Sequence, residues 1–448
     1  MTNGKPPRRS IFSGVLLILL GALFLWHNLR GGSELWYLFE RWWPTLLILW
    51  GVVKLYEHMA ARRTGETPPR TITGGEVLLV LLLLSLAGTA GVKDWHMKHP
   101  EAGFRWPPWA RPYSFNEEVS AASVPRNAHI SVRTDRGDIT IHPQDAAEIR
   151  VLAKKVVAAT EEAEARSRAQ QASVLVTQAA DSYEVSTKNQ GGEVELDLEF
   201  HVPRQATVTA RSARGGVQVD GLSGSVTAAA NHGDVDIRDA GRDVSVELDR
   251  GDAHIVGVRG NVKLSGRGGQ VEVSDVKGEA VVQGEYYGPI RIEKVAKGAR
   301  FVSRRTDLTV SQLAGRIDTG SGRLEISDAP GSLSLVTHKY DLAIDNIGGR
   351  IHIENYQGNV ELRFAQPPRE DVEVSTESGN IELVLPPKST FEVHAESRKG
   401  EIDSDFSDAE VKETKQRENA RLEGKIGANG PQIRLRTTYG TIRLRKGG

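Results

Sequence analysis

Residues 233–250, GDVDIRDAGRDVSVELDR, are followed by residues 251–268, GDAHIVGVRGNVKLSGRG, which repeat the same pattern of glycine, polar residue and alternating aliphatic residues. Aliphatic residues at every second position are typical of strands with one buried face. Each unit contains two such runs, and glycines mark the tight corners between them. The repeat predicts an all-β fold, a β-solenoid with about 18 residues and two strands per coil.

The repeat extends in both directions, from Gly216 to Glu361. One series of units begins at Gly216, Gly233, Gly251, Gly269, Gly288, Thr306, Gly322, Tyr340 and Gly358. A second series interleaves at Arg242 with Asp243, and then at Gly260, Gly278, Gly298, Gly315, Gly331 and Gly349. At about 3.3 Å per residue, one coil has a circumference of about 60 Å, so aliphatic side chains should fill the interior.

Three apolar runs precede the repeat and predict membrane-spanning helices at about 11–29, 42–56 and 76–91. Basic residues lie before the first run (Lys5, Arg8, Arg9) and between the second and third (Arg62, Arg63, Arg70). The positive-inside rule places these flanks in the cytoplasm, and everything after the third span outside it. A cleavable signal peptide is the alternative for the first run, but residues 27–30 lack a small-residue cleavage site. We therefore expect a multi-pass protein of the inner cell membrane.

The remaining chain divides at changes of composition. Residues 1–93 form the predicted transmembrane region, 94–118 a linker rich in proline and tryptophan, and 119–448 the solenoid. One helix is expected after Thr160, which could cap it, and this helix would interrupt the first coils. The charged run from Ser407 to Glu423 is expected to form a mobile excursion or a cap. Atypical units of this kind protect the open ends of solenoids.

Composition excludes several functions. The net charge of -1 includes no strongly basic block, which argues against nucleic acid as a partner. The absence of cysteine excludes disulfides, thiolate catalysis and cysteine-ligated metal sites. The sequence also lacks the H-E-x-x-H, G-x-S-x-G and phosphate-loop motifs, so we predict no catalytic residue, no metal and no cofactor.

Stacked coils would align outward side chains into two ladders. The first reads Asp234, Asp252, Gln270, Pro289, Asp307, Arg323, Asp341 and Asn359. The second reads Asp236, His254, Glu272, Arg291, Thr309, Glu325, Ala343 and Glu361. Paired carboxylates could hold a cation or sugar hydroxyls, or act as the acid and base of a polysaccharide-cleaving enzyme. Solvated surface charge is the alternative, and we favour it.

A basic and aromatic region lies where the period slips. It comprises Tyr286, Tyr287, Arg300, Arg304 and Arg305, which we take as a candidate binding surface for an anionic envelope polymer. The alternative is local packing around an irregular coil.

Two stretches resemble known families. Residues 14–21 and the run WPTLLILWG at 43–51 resemble the LiaI-LiaF-like transmembrane region of bacterial envelope-stress proteins. From about Ser120 to Lys446 the chain resembles the proposed adhesin domain of LiaG-like and YvlB-like proteins. The matching features are RGDITI at 136–141, Val202 with Pro203, the recurring glycine-led strands, and Ser378 to Ile381.

The resemblance implies a membrane-anchored β-solenoid associated with the response to envelope damage, without enzymatic activity. The third span and the linker depart from the simplest members of these families. The sequence thus predicts a non-enzymatic extracytoplasmic module for binding or sensing, in envelope stress or adhesion, with an envelope polymer or another membrane protein as partner. One alternative is a scaffold of homo-oligomers stacked end to end, and another is a polysaccharide-active enzyme.

Overall fold

The computed structural model describes residues 110–179, 181–189, 194–407, 411–416 and 419–447. They fall within one compact unit, Pro108–Gly448. No helix in this described part of the chain is long and apolar enough to cross a membrane. The three predicted spans lie outside the described residues.

Nearly every described segment is a strand, and the single helix in this part of the chain is α1, Glu162–Gln171. The strands are β1 Arg111–Ala122, β2 His129–Thr134, β3 Ile139–Gln144, β4 Glu148–Ala159, β5 Ser173–Ala179, β6 Ser182–Lys188, β7 Val194–Pro203, β8 Thr207–Ser212, β9 Val217–Asp220, β10 Val226–Ala230, β11 Val235–Arg238, β12 Val244–Leu248, β13 Ala253–Val258, β14 Val262–Gly268, β15 Val271–Val276, β16 Ala280–Tyr286, β17 Ile290–Val295, β18 Ala299–Val302, β19 Thr306–Val310, β20 Leu313–Thr319, β21 Arg323–Ala329, β22 Leu333–Lys339, β23 Asp341–Ile347, β24 Ile351–Gln357, β25 Val360–Arg363, β26 Val372–Ser378, β27 Ile381–Leu385, β28 Phe391–Ser397, β29 Ile402–Ser404, β30 Val411–Gln416, β31 Asn419–Ile426, β32 Gln432–Tyr439 and β33 Ile442–Lys446.

The strands form two sheets, and each regular coil contributes one strand to each sheet. Sheet I has the order β1-β4-β7-β3-β9-β11-β13-β15-β17-β20-β21-β23-β25-β27-β33-β29. The pairings give sheet II the order β5-β6-β2-β8-β10-β12-β14-β16-β18-β19-β22-β24-β26-β32-β28-β31-β30. The predicted all-β coil with two strands per turn and one helix is therefore confirmed for the described residues.

The regular coils stack in register at the predicted period. In sheet I, Val217, Val235, Ala253 and Val271 pair in sequence, each 18 residues after the last. Alternate residues point inward, so Val235 and Ile237 are almost completely buried while Asp236 between them faces outward. The interior is a continuous aliphatic core between the two sheets.

The coil reverses direction once, between β17 and β21. β18 and β19 are antiparallel, and so are the pairs β17–β20 and β20–β21. β19 and β20 therefore form one reversed coil, after which parallel stacking resumes. The expectation of an uninterrupted parallel stack is wrong here, because alternation specifies which side chains face inward but not the direction of a strand.

Both ends of the solenoid contain a coil inserted out of sequence order. At the N-terminal end, β2 lies between β6 and β8, and β3 lies between β7 and β9. At the C-terminal end, β32 lies between β26 and β28, and β33 between β27 and β29. Segments distant in sequence therefore pair with each other near both ends.

Charge complementarity accounts for the position of the C-terminal coil. Arg445 contacts Asp403 at 2.7 Å and Asp405 at 2.8 Å, and Arg436 lies 3.8 Å from Glu396. The hydrogen bond from Arg445 holds the pKa of Asp405 below its usual value. A coil with outward arginines thus sits beside a coil with outward carboxylates, and the pairs are exposed enough to favour the register rather than add much stability.

The two ends are also capped. Helix α1 contacts β4 and β1 and buries Ala165 and Ala169. The helix N-cap is Glu161 and not Thr160, which lies one residue too early, and Glu161 makes no side-chain capping bond. At the other end, β30 and β31 form an antiparallel hairpin that extends sheet II beyond β28, so part of the run from Ser407 to Glu423 lies in the outermost strands of that sheet. Within the predicted linker of residues 94–118, the chain is paired from Arg111 onward, as β1 against β4.

The corners that lead from sheet II to sheet I, which we call the glycine corners, hold adjacent coils close together. A Cβ on Gly251 would lie 2.2 Å from the carbonyl oxygen of Gly233, and its φ is +129°. Buried hydroxyls bind other corner carbonyls: Ser212 donates to Gly137 at 3.1 Å, and Thr437 donates to Gly379 at 3.0 Å. Only glycine fits such a contact, so these corners set the spacing of the coils.

We expect Gly251→Ala to destabilise the protein by about 2–4 kcal/mol, because the new methyl group would collide with the neighbouring backbone in a strained conformation. Gly320→Ala is the matched control, since the nearest atom to its Cβ would be the Arg323 carbonyl oxygen at 4.0 Å. Urea unfolding of the full-length chain in detergent measures both. Equal losses in the two variants would contradict this role of the corner.

Candidate functional site

The carboxylates of the first predicted ladder cap the backbone of the next coil. Asp234 Oδ1 accepts a hydrogen bond from the Asp252 N–H at 2.8 Å, and Asp252 Oδ1 accepts one from the Gln270 N–H at 2.7 Å. The same contact recurs beyond the reversal, from the Asn359 N–H to Asp341 Oδ1 at 2.8 Å and from the Asn380 N–H to Asn359 Oδ1 at 3.0 Å. These contacts explain the ladder without a ligand.

The second ladder consists of polar contacts between side chains of neighbouring coils and is correct only in part. His254 Nδ1 lies 3.2 Å from Glu272 Oε2, and both stand in the predicted row with Asp236 and Arg291. The next member is Asp318, whose Oδ2 lies 3.1 Å from Arg291. Thr309 and Asp307, which the uninterrupted coil placed in the two ladders, belong to sheet II instead.

These contacts leave the ladders with ordinary surface electrostatics. The hydrogen bond from Arg291 to Asp318 raises the pKa of that arginine. On sheet II, outside the two ladders, the hydrogen bond from Arg267 lowers the pKa of Asp249. Both pairs are open to water and contribute little net energy. Among the described residues, no group of three or more histidine, aspartate or glutamate side chains could hold a metal ion.

The five residues of the predicted binding surface do not all lie together in the structure. Tyr286 is half-buried against the core, and burial raises the pKa of its hydroxyl. Arg300 faces outward from sheet II and binds Asp307 at 3.2 Å. Tyr287, Arg304 and Arg305 remain exposed at the end of the sheet II strands, on the side of the glycine corners.

Near these residues, the coil reversal removes a connection between the two sheets on the side of the glycine corners. Turns at 303–305 and 320–322 each return the chain within one sheet, so no corner joins the two sheets there. The next glycine-corner connection follows β22, at Tyr340. A Cβ on Gly322 would meet no atom within 4 Å, which shows open space beside the second turn.

Further aromatic and basic residues continue the surface along the same side. The His338 and Tyr356 rings lie 6.3 Å apart on β22 and β24, and the Lys399 Nζ lies 5.1 Å from the centre of the Tyr439 ring. We call the set the tyrosine edge; it comprises Tyr287, Arg304, Arg305, His338, Tyr356, Tyr439 and Lys399.

The sequence contains a signal for the two tyrosines that were missed. Tyr287 and Tyr439 each directly precede a corner glycine, and Tyr356 lies two residues before one. One of the last two positions before the corner glycine therefore carries an exposed aromatic ring in three coils. Recognising that these tyrosines form one surface requires knowledge of which coils lie next to each other.

The two-sheet coil, its capped ends and its outward surface define a β-solenoid attached to a predicted membrane region. A family model described as Toastrack DUF4097 matches residues 118–445, and one described as the LiaF transmembrane domain matches residues 12–97. The chain belongs to the Toastrack DUF4097 family. With its LiaF transmembrane domain, it is a membrane-associated, envelope-related protein.

Two solved structures of proposed adhesion proteins are similar to this chain. A proposed cell adhesion protein from Clostridium sporogenes ATCC 15579 is 7% identical, with 75% of this chain and 100% of that chain covered and a TM-score of 0.17. A proposed adhesin from Bacteroides fragilis NCTC 9343 is 7% identical, with 75% and 97% covered and a TM-score of 0.18. No curated protein matches the chain.

We expect Asp252→Ala to lower the free energy of unfolding by about 1 kcal/mol, because the Gln270 N–H loses its acceptor. Asp252→Asn keeps a side-chain oxygen at the same place and should be nearly neutral. Thermal unfolding with and without millimolar calcium measures both effects. Calcium stabilisation that Asp252→Asn abolishes would contradict the capping role and support a cation site.

Proposed function

We propose that this protein is a non-enzymatic integral membrane protein whose solenoid is displayed outside the cytoplasm as a binding or sensing module in envelope stress or adhesion. The match to a LiaF transmembrane domain supports the membrane anchor. The basic residues that flank the predicted spans support the orientation. The Toastrack family and the fold support a recognition role in place of catalysis.

The observation that carries the proposal is the tyrosine edge, because large aromatic side chains are exposed on an otherwise well-packed domain. Tyr287 is 88% exposed, Tyr356 56% and Tyr439 49%. Exposed aromatic residues beside arginine are typical of recognition surfaces. The regular sheets hold them in place, as a binding surface requires.

The outward carboxylates support the absence of catalysis. Asp236, which an acid-base mechanism would require, is bound by Arg238, and Glu272 is in contact with His254. Both lie on the outer face of sheet I, where side chains of neighbouring strands occupy one flat surface. Glycoside cleavage needs two available carboxyl groups on opposite sides of a bound sugar.

The scaffold alternative depends on the ends of the solenoid, since stacking end to end needs edges where strands of two copies could pair. In the described part of the chain the outermost strands are β1 and β29 in sheet I and β5 and β30 in sheet II, and helix α1 packs against β1 and β4.

We expect deletion of the gene to change the sensitivity of the cell to envelope-active compounds, because the module would no longer report or bind its envelope component. Growth-inhibition assays of the deletion strain and of a strain complemented with the full-length gene measure this. An unchanged sensitivity would contradict the role in envelope stress.

Protease treatment controls for location. In spheroplasts, added protease should cleave the chain after Ser120, and in inverted membrane vesicles it should not. The reverse result would place the solenoid in the cytoplasm and contradict the proposal, whatever the growth assays show.

A further inference from the structure

We propose that the tyrosine edge binds an acidic polysaccharide whose strand lies along the solenoid axis, crossing successive coils. This inference rests on the proposed function, a displayed binding module, and adds the chemical class of its ligand.

The spacing of the tyrosines suits an extended polymer. Tyr287 follows β16 and Tyr356 lies on β24, four strand positions away in sheet II, which corresponds to about 19 Å. Tyr439 lies on β32, two positions further, or about 10 Å. The three rings thus span a length that a small molecule would not cover. Tyrosine presents both an apolar ring and a hydroxyl, as contact with a sugar requires.

The charge of the edge suits an anion. Arg304 has an 88% exposed side chain and is followed by Arg305, and Lys399 lies over the ring of Tyr439. Acidic residues of this side include Glu285, which lies 3.9 Å from the Arg304 side chain and accepts a hydrogen bond from the Arg304 N–H, and Glu377 on β26. Arginine groups with this exposure bind carboxylate or sulfate groups in a planar, bidentate manner.

The backbone of the edge favours a polysaccharide over a peptide. The Gly358 N–H donates to the Ser378 carbonyl oxygen, and the Gly379 N–H donates to the Tyr439 carbonyl oxygen. The corner amides are therefore used between coils, and an extended peptide could not add a strand there. The tyrosine edge instead presents ring faces, hydroxyl groups and cationic groups to a ligand.

Binding of the purified full-length protein in detergent tests the inference by calorimetry with three probes. These are polygalacturonate, an acidic glycan; dextran, a neutral glycan; and polyglutamate, an anion without sugar rings. We expect binding to polygalacturonate, much weaker binding to polyglutamate and none to dextran. The affinity for polygalacturonate should fall as salt rises.

Variants separate the edge from general electrostatics. The double variant Tyr287→Ala, Tyr356→Ala and the double variant Arg304→Glu, Arg305→Glu should each lower the affinity for polygalacturonate about tenfold or more. Tyr287→Phe should keep most of it. The control is Arg242→Glu with Lys297→Glu, which makes the same change of charge on exposed residues at the opposite corners and should have an effect below about twofold.

Three outcomes would overturn the inference: no binding of polygalacturonate, equal binding of polyglutamate that the tyrosine variants leave unchanged, or equal losses in the edge and control variants. The edge variants can also be tested in the growth assay with the deletion strain. If the deletion changes the sensitivity of the cell and the edge variants still restore it, the inference about the ligand fails while the proposed function stands.

Discussion

The close approach of neighbouring coils at the glycine corners is the constraint on which the rest of the structure depends. At Gly251 the backbone of one coil lies where a side chain would otherwise project from the next. Buried hydroxyls such as Thr437 and outward carboxylates such as Asp252 then satisfy the polar groups that this approach leaves at the corner. Parallel strands stack in register because these contacts repeat at one position in each coil, and the aliphatic core fills the space between the sheets.

The one place where this corner is lost determines the most distinctive surface. In the reversed coil of β19 and β20, two turns, one within each sheet, take the place of corners between the sheets. Tyr286 and Tyr340, which lie on either side of this coil, pack half-buried against the core. Their exposed neighbour Tyr287 and the arginines of the turn face outward. The irregularity of the repeat and this part of the tyrosine edge therefore have the same structural origin. The ladders on the regular coils, in contrast, use their polar groups within the protein.

The sequence was sufficient to predict the features that depend on local periodicity. The fold class and the inward residues follow from alternation and glycine spacing, and the structure confirms them in the described residues. The reversal was not predictable from alternation, because β19 and β20 alternate as any strand does; its local signs were the slip of the period near Tyr286 and the replacement of glycine by Thr306. The inserted end coils depend on contacts between distant segments, such as Arg445 with Asp403 and Asp405. Of the binding surface, Tyr287, Arg304 and Arg305 were found because they are close in sequence, whereas Tyr356 and Tyr439 join them only through the stacking of coils.

The most direct test of this account uses the absence of cysteine from the chain. In the reversed coil, Arg291 pairs with Asp318 across β17 and β20, whereas an uninterrupted parallel coil would place it beside Thr309. Two full-length double variants, Arg291→Cys with Asp318→Cys and Arg291→Cys with Thr309→Cys, can be oxidised under identical conditions, and disulfide formation measured by mass spectrometry after proteolysis. The account predicts an efficient disulfide in the first variant and none in the second. A disulfide formed only in the second would contradict the reversal and, with it, the origin of the tyrosine edge.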